Sequence, residues 1–135
     1  MDNRPIGVFD SGLGGLTAVK QLEKVLPGES VVYFGDTGRV PYGSRSTDTI
    51  LRYAKQDMEF LLSQNVKAVL AACGTVSSVA RSVGEALSVP YLDVIEPSAK
   101  AAAAATKNGK IGVIGTAATI ASDSYRSALL RINHK

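Results

Sequence analysis

The single cysteine of this 135-residue chain lies at the end of an apolar run, in the stretch VLAACGTVSS at residues 69–78. Free cysteine is usually a buried residue that packs like a small hydrophobic side chain. Cys73, however, follows a predicted strand and precedes a predicted helix, where the helix dipole and free N–H groups lower the pKa of a thiol. Two interpretations stay open: Cys73 is core packing, or it is a nucleophile or base.

Polar residues follow the other predicted strands as well. Asp10 and Ser11 end the first strand, and Thr119 lies beyond the last one. Ligands of parallel α/β sheets bind beyond the carboxyl ends of the strands. We therefore expect these side chains to meet Cys73, where the N–H groups of Gly74 and Thr75 are placed to hold a carboxylate.

Two loops are further candidates, each with a structural alternative. The stretch DSGLGGLT fits neither a dinucleotide fingerprint nor a phosphate-binding P-loop. Its Asp10 either orients or accepts a proton or caps the next helix. In GDTGRVPYGSRS, Tyr42 offers a phenol donor and Gly43 a backbone N–H to a ligand, or the stretch is an ordinary surface loop.

Apolar runs alternate with amphipathic stretches along the whole chain, which predicts an α/β fold with a parallel sheet flanked by helices. Strands are predicted at residues 5–9, 30–36, 66–72, 89–95 and 110–116, and helices at 16–26, 46–65, 75–87, 98–109 and 119–132. The change to an alanine-rich stretch after Pro97 predicts a first α/β domain at residues 1–97 and an incomplete second α/β unit at 98–135.

Composition excludes several classes of function. The net charge of +3 comes from scattered basic residues, and aromatic residues make up only 6% of the chain, so we expect no nucleic-acid partner. No stretch is long and apolar enough for a membrane span, and the N-terminus does not resemble a signal peptide. One cysteine and one histidine, His134, disfavour a metal site and a Cys–His hydrolase. A lone cysteine fits the reducing cytoplasm, our expected location.

Four blocks in series, IGVFDSGLGGLT, VYFGDTGRVPYGSRS, AACGTVSS and IGVIGTAATIASDSY, resemble glutamate racemases over essentially the whole chain. The resemblance implies a flavodoxin-like racemase domain and a cofactor-independent exchange of L- and D-glutamate, which supplies D-glutamate for peptidoglycan. In that family two cysteines face the α-carbon from opposite sides, one as base and one as acid.

The resemblance also assigns roles. Cys73 corresponds to the first catalytic cysteine, and Asp10 to a residue that contacts substrate and tunes this thiol. The other positions that it implies for substrate binding are Ser11, Tyr42, Gly43, Gly74, Thr75 and Thr119.

Two departures from the family limit what the resemblance implies. Gly74 stands where the family has asparagine, so we expect weaker substrate binding. The family is about twice as long, and its second half carries the second cysteine, so we expect this chain to be a truncated racemase that is inactive alone. Open alternatives are a homo-oligomer that pairs two copies of Cys73, a module that binds a small carboxylate or phosphate, and a racemase of aspartate or a related amino acid.

Overall fold

A computed structural model describes residues 2–132, which form a parallel β-sheet flanked by helices. The strands are β1 (Ile6–Asp10), β2 (Val31–Gly35), β3 (Ala68–Ala71) and β4 (Tyr91–Asp93). The helices are α1 (Leu16–Val25), α2 (Thr47–Ser63), α3 (Gly74–Val79), α4 (Arg81–Glu85), α5 (Ile95–Ala105), α6 (Ala117–Ala121) and α7 (Ser124–Ile132). The predicted α/β class is confirmed.

The four strands are ordered β2-β1-β3-β4, and every pairing is parallel. This is the strand order of flavodoxin-like sheets. Central β1 pairs Ile6 with Val31 of β2 on one side and with Ala68 of β3 on the other. The carboxyl ends of the three strands therefore lie side by side.

The longest helix, α2, shows how sequence produces the core. Ser46 is its N-cap, and the Ser46 hydroxyl accepts a hydrogen bond from the Thr49 amide at 3.3 Å. One stripe of the helix is buried against the sheet: Ile50, Ala54, Asp57, Met58 and Leu61. That spacing puts these side chains on a single helical face. Asp57 is the one charged residue in this stripe.

A smaller cluster forms where α5 packs on α7. It consists of Ile95, Ala99 and Ala128, with Tyr125, Leu129 and Ile132 packed against it. Pro97 lies inside the first turn of α5, a position that tolerates proline because the N–H groups there have no partner within the helix. The division of the chain at residue 97 stays a prediction.

The strand predicted at residues 110–116 is wrong. These residues have no regular secondary structure, and Ile114 is 99% exposed. A strand needs a neighbour to pair its N–H and C=O groups, and among the described residues this segment has none. The predicted second α/β unit is therefore represented, as far as residue 132, by helices alone.

Two predicted helices are each divided in two. Ala80 separates α3 from α4, with φ −117° and ψ 25°. Asp123, with a left-handed φ of 56°, separates α6 from α7. β4 is also shorter than predicted, because α5 begins at Ile95 and its first amide donates to the Asp93 carboxylate at 2.9 Å. None of the helices in the described part of the chain is long and apolar enough to cross a membrane.

We predict that Leu61→Ala lowers the free energy of unfolding by about 2–5 kcal/mol, because Leu61 is fully buried under the sheet and its truncation leaves a cavity. The measurement is urea unfolding. Leu13→Ala is the control, because Leu13 is 67% exposed, and its effect should stay within about 0.5 kcal/mol. Equal effects of the two substitutions would contradict this packing.

Candidate active site

Cys73 lies between the end of β3 and the start of α3, where it is the N-cap residue. Its backbone is extended, and its carbonyl accepts the first helical hydrogen bond, from the Ser77 amide at 2.9 Å. The side chain is 3% exposed, and its thiol donates to the Ser11 hydroxyl at 3.5 Å. The structure thus brings together two predicted site residues that are 62 positions apart in sequence.

Asp10 ends β1 beside these two residues and is 7% exposed. One carboxylate oxygen, Oδ2, accepts hydrogen bonds from the amides of Gly12 and Gly15, both at 3.1 Å. Asp10 therefore caps the turn that leads into α1, one of the two alternatives left open by the sequence. None of the described residues donates a hydrogen bond to the second carboxylate oxygen of Asp10, Oδ1. A role for Oδ1 in binding a ligand stays a prediction.

Tyr33 of β2 is a neighbour of this site that sequence analysis missed. Its hydroxyl donates to the Gly12 carbonyl at 2.7 Å. Burial raises the pKa of Tyr33 to about 12, and the nearby negative charge of Asp10 acts in the same direction. Tyr33 consequently keeps its proton near neutral pH and holds the turn after β1 in place. The sequence signal was the position of Tyr33 near the end of a strand next to β1.

Three threonine hydroxyls form a chain at the other side of the site. Thr116 Oγ1 lies 2.9 Å from Thr75 Oγ1 and 3.0 Å from Thr119 Oγ1. Thr75 and Thr119, both predicted, are 5% and 6% exposed. Thr116 was not predicted as a site residue, because its role as the N-cap of α6 depends on a helix start at residue 117, two residues before the predicted start.

Gly43 packs directly against this hydroxyl chain. Its carbonyl accepts a hydrogen bond from the Ala118 amide at 3.2 Å. A Cβ atom at position 43 would lie only 2.3 Å from the Thr116 Cβ, so the close approach requires glycine. The loop that carries Gly43 is therefore attached to the start of α6.

The Tyr42 side chain does not face a ligand. It is 1% exposed, and its hydroxyl contacts Asp57 Oδ2 at 2.6 Å and also Asp36 Oδ2. This phenol is engaged by two carboxyl groups within the fold, which counts against its donation to a ligand, and the role of Tyr42 in binding stays a prediction. Only the main chain of Tyr42 remains for binding at the site.

Gly74 leaves open space in the site. No heavy atom other than its immediate neighbours lies within 4 Å of a Cβ built at this position. A Cβ atom here would therefore meet no obstacle.

A cavity of about 490 Å³ lies between the loop at residues 43–47, α3 and α6, but it is lined by Gly43 and not by Cys73, Asp10 or Ser11. Within residues 2–132, no three His, Cys, Asp or Glu side chains are grouped closely enough to hold a metal ion. His134 lies outside the described residues.

These features define a parallel α/β domain with a thiol-centred site at the carboxyl edge of its sheet. Residues 14–134 match the family described as Asp/Glu/Hydantoin racemase. The chain belongs to this family.

Similar proteins agree with this assignment. The chain is 54% identical to a glutamate racemase from Syntrophus aciditrophicus over 129 residues, which are 95% of this chain and 48% of the relative. A glutamate racemase from Geobacter metallireducens is 48% identical over 131 residues, 96% of this chain and 48% of the relative. The chain spans about half the length of the curated relatives that it matches.

Solved structures show the same fold. Glutamate racemase isoform RacE1 from Bacillus anthracis superimposes with a TM-score of 0.93 at 43% identity, covering 98% of this chain and 50% of that one. A glutamate racemase from Francisella tularensis in complex with D-glutamate gives a TM-score of 0.89 at 46% identity, again covering 98% and 50%. The fold of about half of each of these racemases is thus present here.

We predict that Gly43→Ala lowers the free energy of unfolding by about 1–3 kcal/mol, because the added methyl group forces the loop away from Thr116. Urea unfolding measures the change. Gly38→Ala, in the same stretch but with nothing within 4 Å of the added atom, is the control and should be nearly neutral. A neutral Gly43→Ala would show that the loop and α6 are not in contact.

Proposed function

We propose that this chain carries one half of a glutamate racemase site, in which Cys73 is the base that removes the α-proton of glutamate. The observation that carries the proposal is the contact of the Cys73 thiol with Ser11 across the ends of β3 and β1. The glutamate racemases that resemble the chain support the substrate, and one of them is described in complex with D-glutamate.

The residues around Cys73 offer groups that bind a small carboxylate. Thr75 and Thr119 supply hydroxyls held by Thr116, and Gly43 supplies main chain at the same place. Hydrogen bonds from such groups to an ionised carboxylate are stronger than those between neutral groups. Ser11, Gly74 and the main chain of Tyr42 complete the proposed binding residues, and Asp10 orients the turn beside the thiol.

Racemisation moves two protons. Cys73 as thiolate takes the α-proton from one face of the carbanion centre, and an acid on the opposite face returns a proton, which inverts the configuration. This sequence contains one cysteine, so it supplies one of the two thiols. We therefore propose that the chain binds glutamate but does not racemise it alone. The proposed role of the racemase reaction is the supply of D-glutamate for peptidoglycan in the cytoplasm, without a cofactor.

The test combines binding with proton exchange. We expect calorimetry to show saturable binding of D-glutamate, and NMR in D₂O to show no α-deuterium incorporation into either enantiomer above the Cys73→Ala variant. Absence of glutamate binding would contradict the proposed site. Exchange above the Cys73→Ala level would contradict the assignment of half a site, and would point to two copies of Cys73 that meet in a homo-oligomer.

Aspartate and inorganic phosphate are the further arms of the calorimetry, since the matched family includes racemases of aspartate. Tighter binding of aspartate than of glutamate would favour aspartate as the substrate. Binding of phosphate in preference to both amino acids would favour a non-catalytic anion-binding module.

We predict that Gly74→Asn strengthens binding of D-glutamate by about 2- to 10-fold, because the open space at position 74 admits an amide that can add one hydrogen bond. Calorimetry gives the change in Kd. Gly28→Asn is the control, since position 28 is equally open but lies in the turn after α1. Unchanged or weaker binding by Gly74→Asn would show that an amide here does not face the ligand.

A further inference from the structure

Four polar side chains are grouped beneath the loop that carries Gly43, and we call them the Asp57 cluster: Asp36, Arg39, Tyr42 and Asp57. Asp36 follows β2, Arg39 and Tyr42 belong to the loop, and Asp57 lies in the middle of α2. Asp57 and Tyr42 are each 1% exposed, and Asp36 is 7% exposed. None of the proposed chemistry at Cys73 uses Asp36, Arg39 or Asp57.

The contacts within the cluster form a closed ring. Tyr42 Oη touches Oδ2 of both carboxyl groups, at 2.6 Å for Asp57. Arg39 donates from Nε to Asp36 Oδ2 at 2.6 Å and from its terminal nitrogen to Asp57 Oδ1 at 2.5 Å. Each carboxyl group is therefore bound by both the phenol and the guanidinium.

If both carboxyl groups are ionised, the two contacts of Tyr42 Oη need one proton more than the cluster contains. A phenol has one proton and can donate to one acceptor. Its oxygen is nevertheless at hydrogen-bonding distance from two carboxyl oxygens, and a contact between unprotonated oxygens would be repulsive. Asp36 Oδ2 must accept from both Arg39 and Tyr42, so the extra proton belongs on Asp57 Oδ2, which then donates to Tyr42 Oη.

The electrostatics of the surroundings agree with this proton count. Burial, together with the charge of Asp36, raises the pKa of Asp57 to about 6, although the Tyr42 hydrogen bond and Arg39 oppose the rise. Burial and the two carboxyl groups also raise the pKa of Tyr42, so the phenol keeps its proton. A second cation, Arg52 of α2, lies nearby: its guanidinium carbon is 5.6 Å from the centre of the Tyr53 ring, and that of Arg39 is 4.2 Å from the same ring centre.

We propose that Asp57 in its protonated, neutral form is a positioning residue, which fixes the main chain of Gly43 at the candidate site through its hydrogen bond to Tyr42. The link is short. Tyr42 directly precedes Gly43, whose carbonyl accepts from Ala118 and which packs on Thr116 of the hydroxyl chain. Ionisation of Asp57 removes the hydrogen bond to Tyr42 and places two carboxylates beside one phenol, which loosens this end of the site.

Asp57→Asn separates this role from simple packing. The asparagine amide has the shape of a neutral carboxylic acid, with an oxygen that accepts from Arg39 and an N–H that donates to Tyr42. In wild type we expect the Asp57 carboxyl carbon to titrate near pH 6 by NMR, with the amide signals of Gly43 and Ala118 shifting at the same midpoint. In Asp57→Asn these amide shifts should disappear.

Glu59→Gln is the matched control, since Glu59 lies in the same helix, is exposed and pairs with Lys55 at 3.9 Å. This variant should keep the wild-type amide shifts. An Asp57 carboxyl that is already ionised at pH 4.5, or amide shifts that persist in Asp57→Asn, would overturn the proposal. The first of these outcomes is read in wild type and does not depend on the folding of any variant.

Stability gives an independent readout with a defined sign. The folded-state pKa of Asp57 lies above its ordinary value of 3.8, so the folded state binds more protons than the unfolded state between these two values. The contribution of Asp57 to stability is thus greatest at low pH and falls as pH rises through about 4 to 6. The unfolding constant of wild type relative to Asp57→Asn should rise up to about 100-fold between pH 4 and pH 7. A ratio that does not change with pH would contradict a neutral Asp57.

The consequence for ligand binding rests on the proposed function. If D-glutamate binds, its Kd should rise as the pH increases through 6 in wild type, relative to Asp57→Asn. An identical pH profile of the Kd in the two proteins would overturn the link between Asp57 and the site. A chain that binds no glutamate contradicts the proposed function alone, because the NMR titration and the unfolding series still decide whether Asp57 is neutral and moves Gly43.

Discussion

The parallel pairing of β1 with its two neighbours is the constraint on which the rest of the site depends. Parallel register brings the carboxyl ends of β1, β2 and β3 to one edge of the sheet. Asp10 and Cys73 thereby leave the sheet side by side, and Ser11 comes within reach of the thiol. No local interaction could join residues so distant in sequence. Because β1 and β3 bury apolar side chains such as Val8, Phe9 and Val69, the register cannot slip without moving apolar side chains into water.

The loop between β2 and α2 connects the strand ends to the other side of the site. It is attached twice, by the Asp57 cluster beneath it and by the contact of Gly43 with the start of α6. Burial of the Asp57 carboxyl group in α2 would cost free energy if it had no hydrogen-bond partners, and Arg39 and Tyr42 supply these partners. Burial of Asp57 and the position of Gly43 are consequently parts of one arrangement.

Much of the fold was predictable from the sequence. Alternating apolar runs and amphipathic stretches indicated a parallel α/β sheet, and the polar residues at the strand ends indicated where Cys73, Ser11 and Asp10 would meet. The strand expected at residues 110–116 was wrong, although its residues favour one, because pairing depends on a neighbour that local sequence does not reveal. The helix breaks at Ala80 and Asp123 were missed for a similar reason, since neither carries a proline or glycine to signal it.

The sequence by itself determined the chemistry available to this protein: one thiol, at a strand end, in an order of motifs typical of glutamate racemases. It did so because strand ends and helix starts are marked by local periodicity and capping residues. Only the tertiary structure decided that the Tyr42 phenol faces inward, that Thr116 links Thr75 to Thr119, and that Asp57 shares its site with Asp36. These outcomes depend on which side chains become buried together, and burial is a property of the packed molecule.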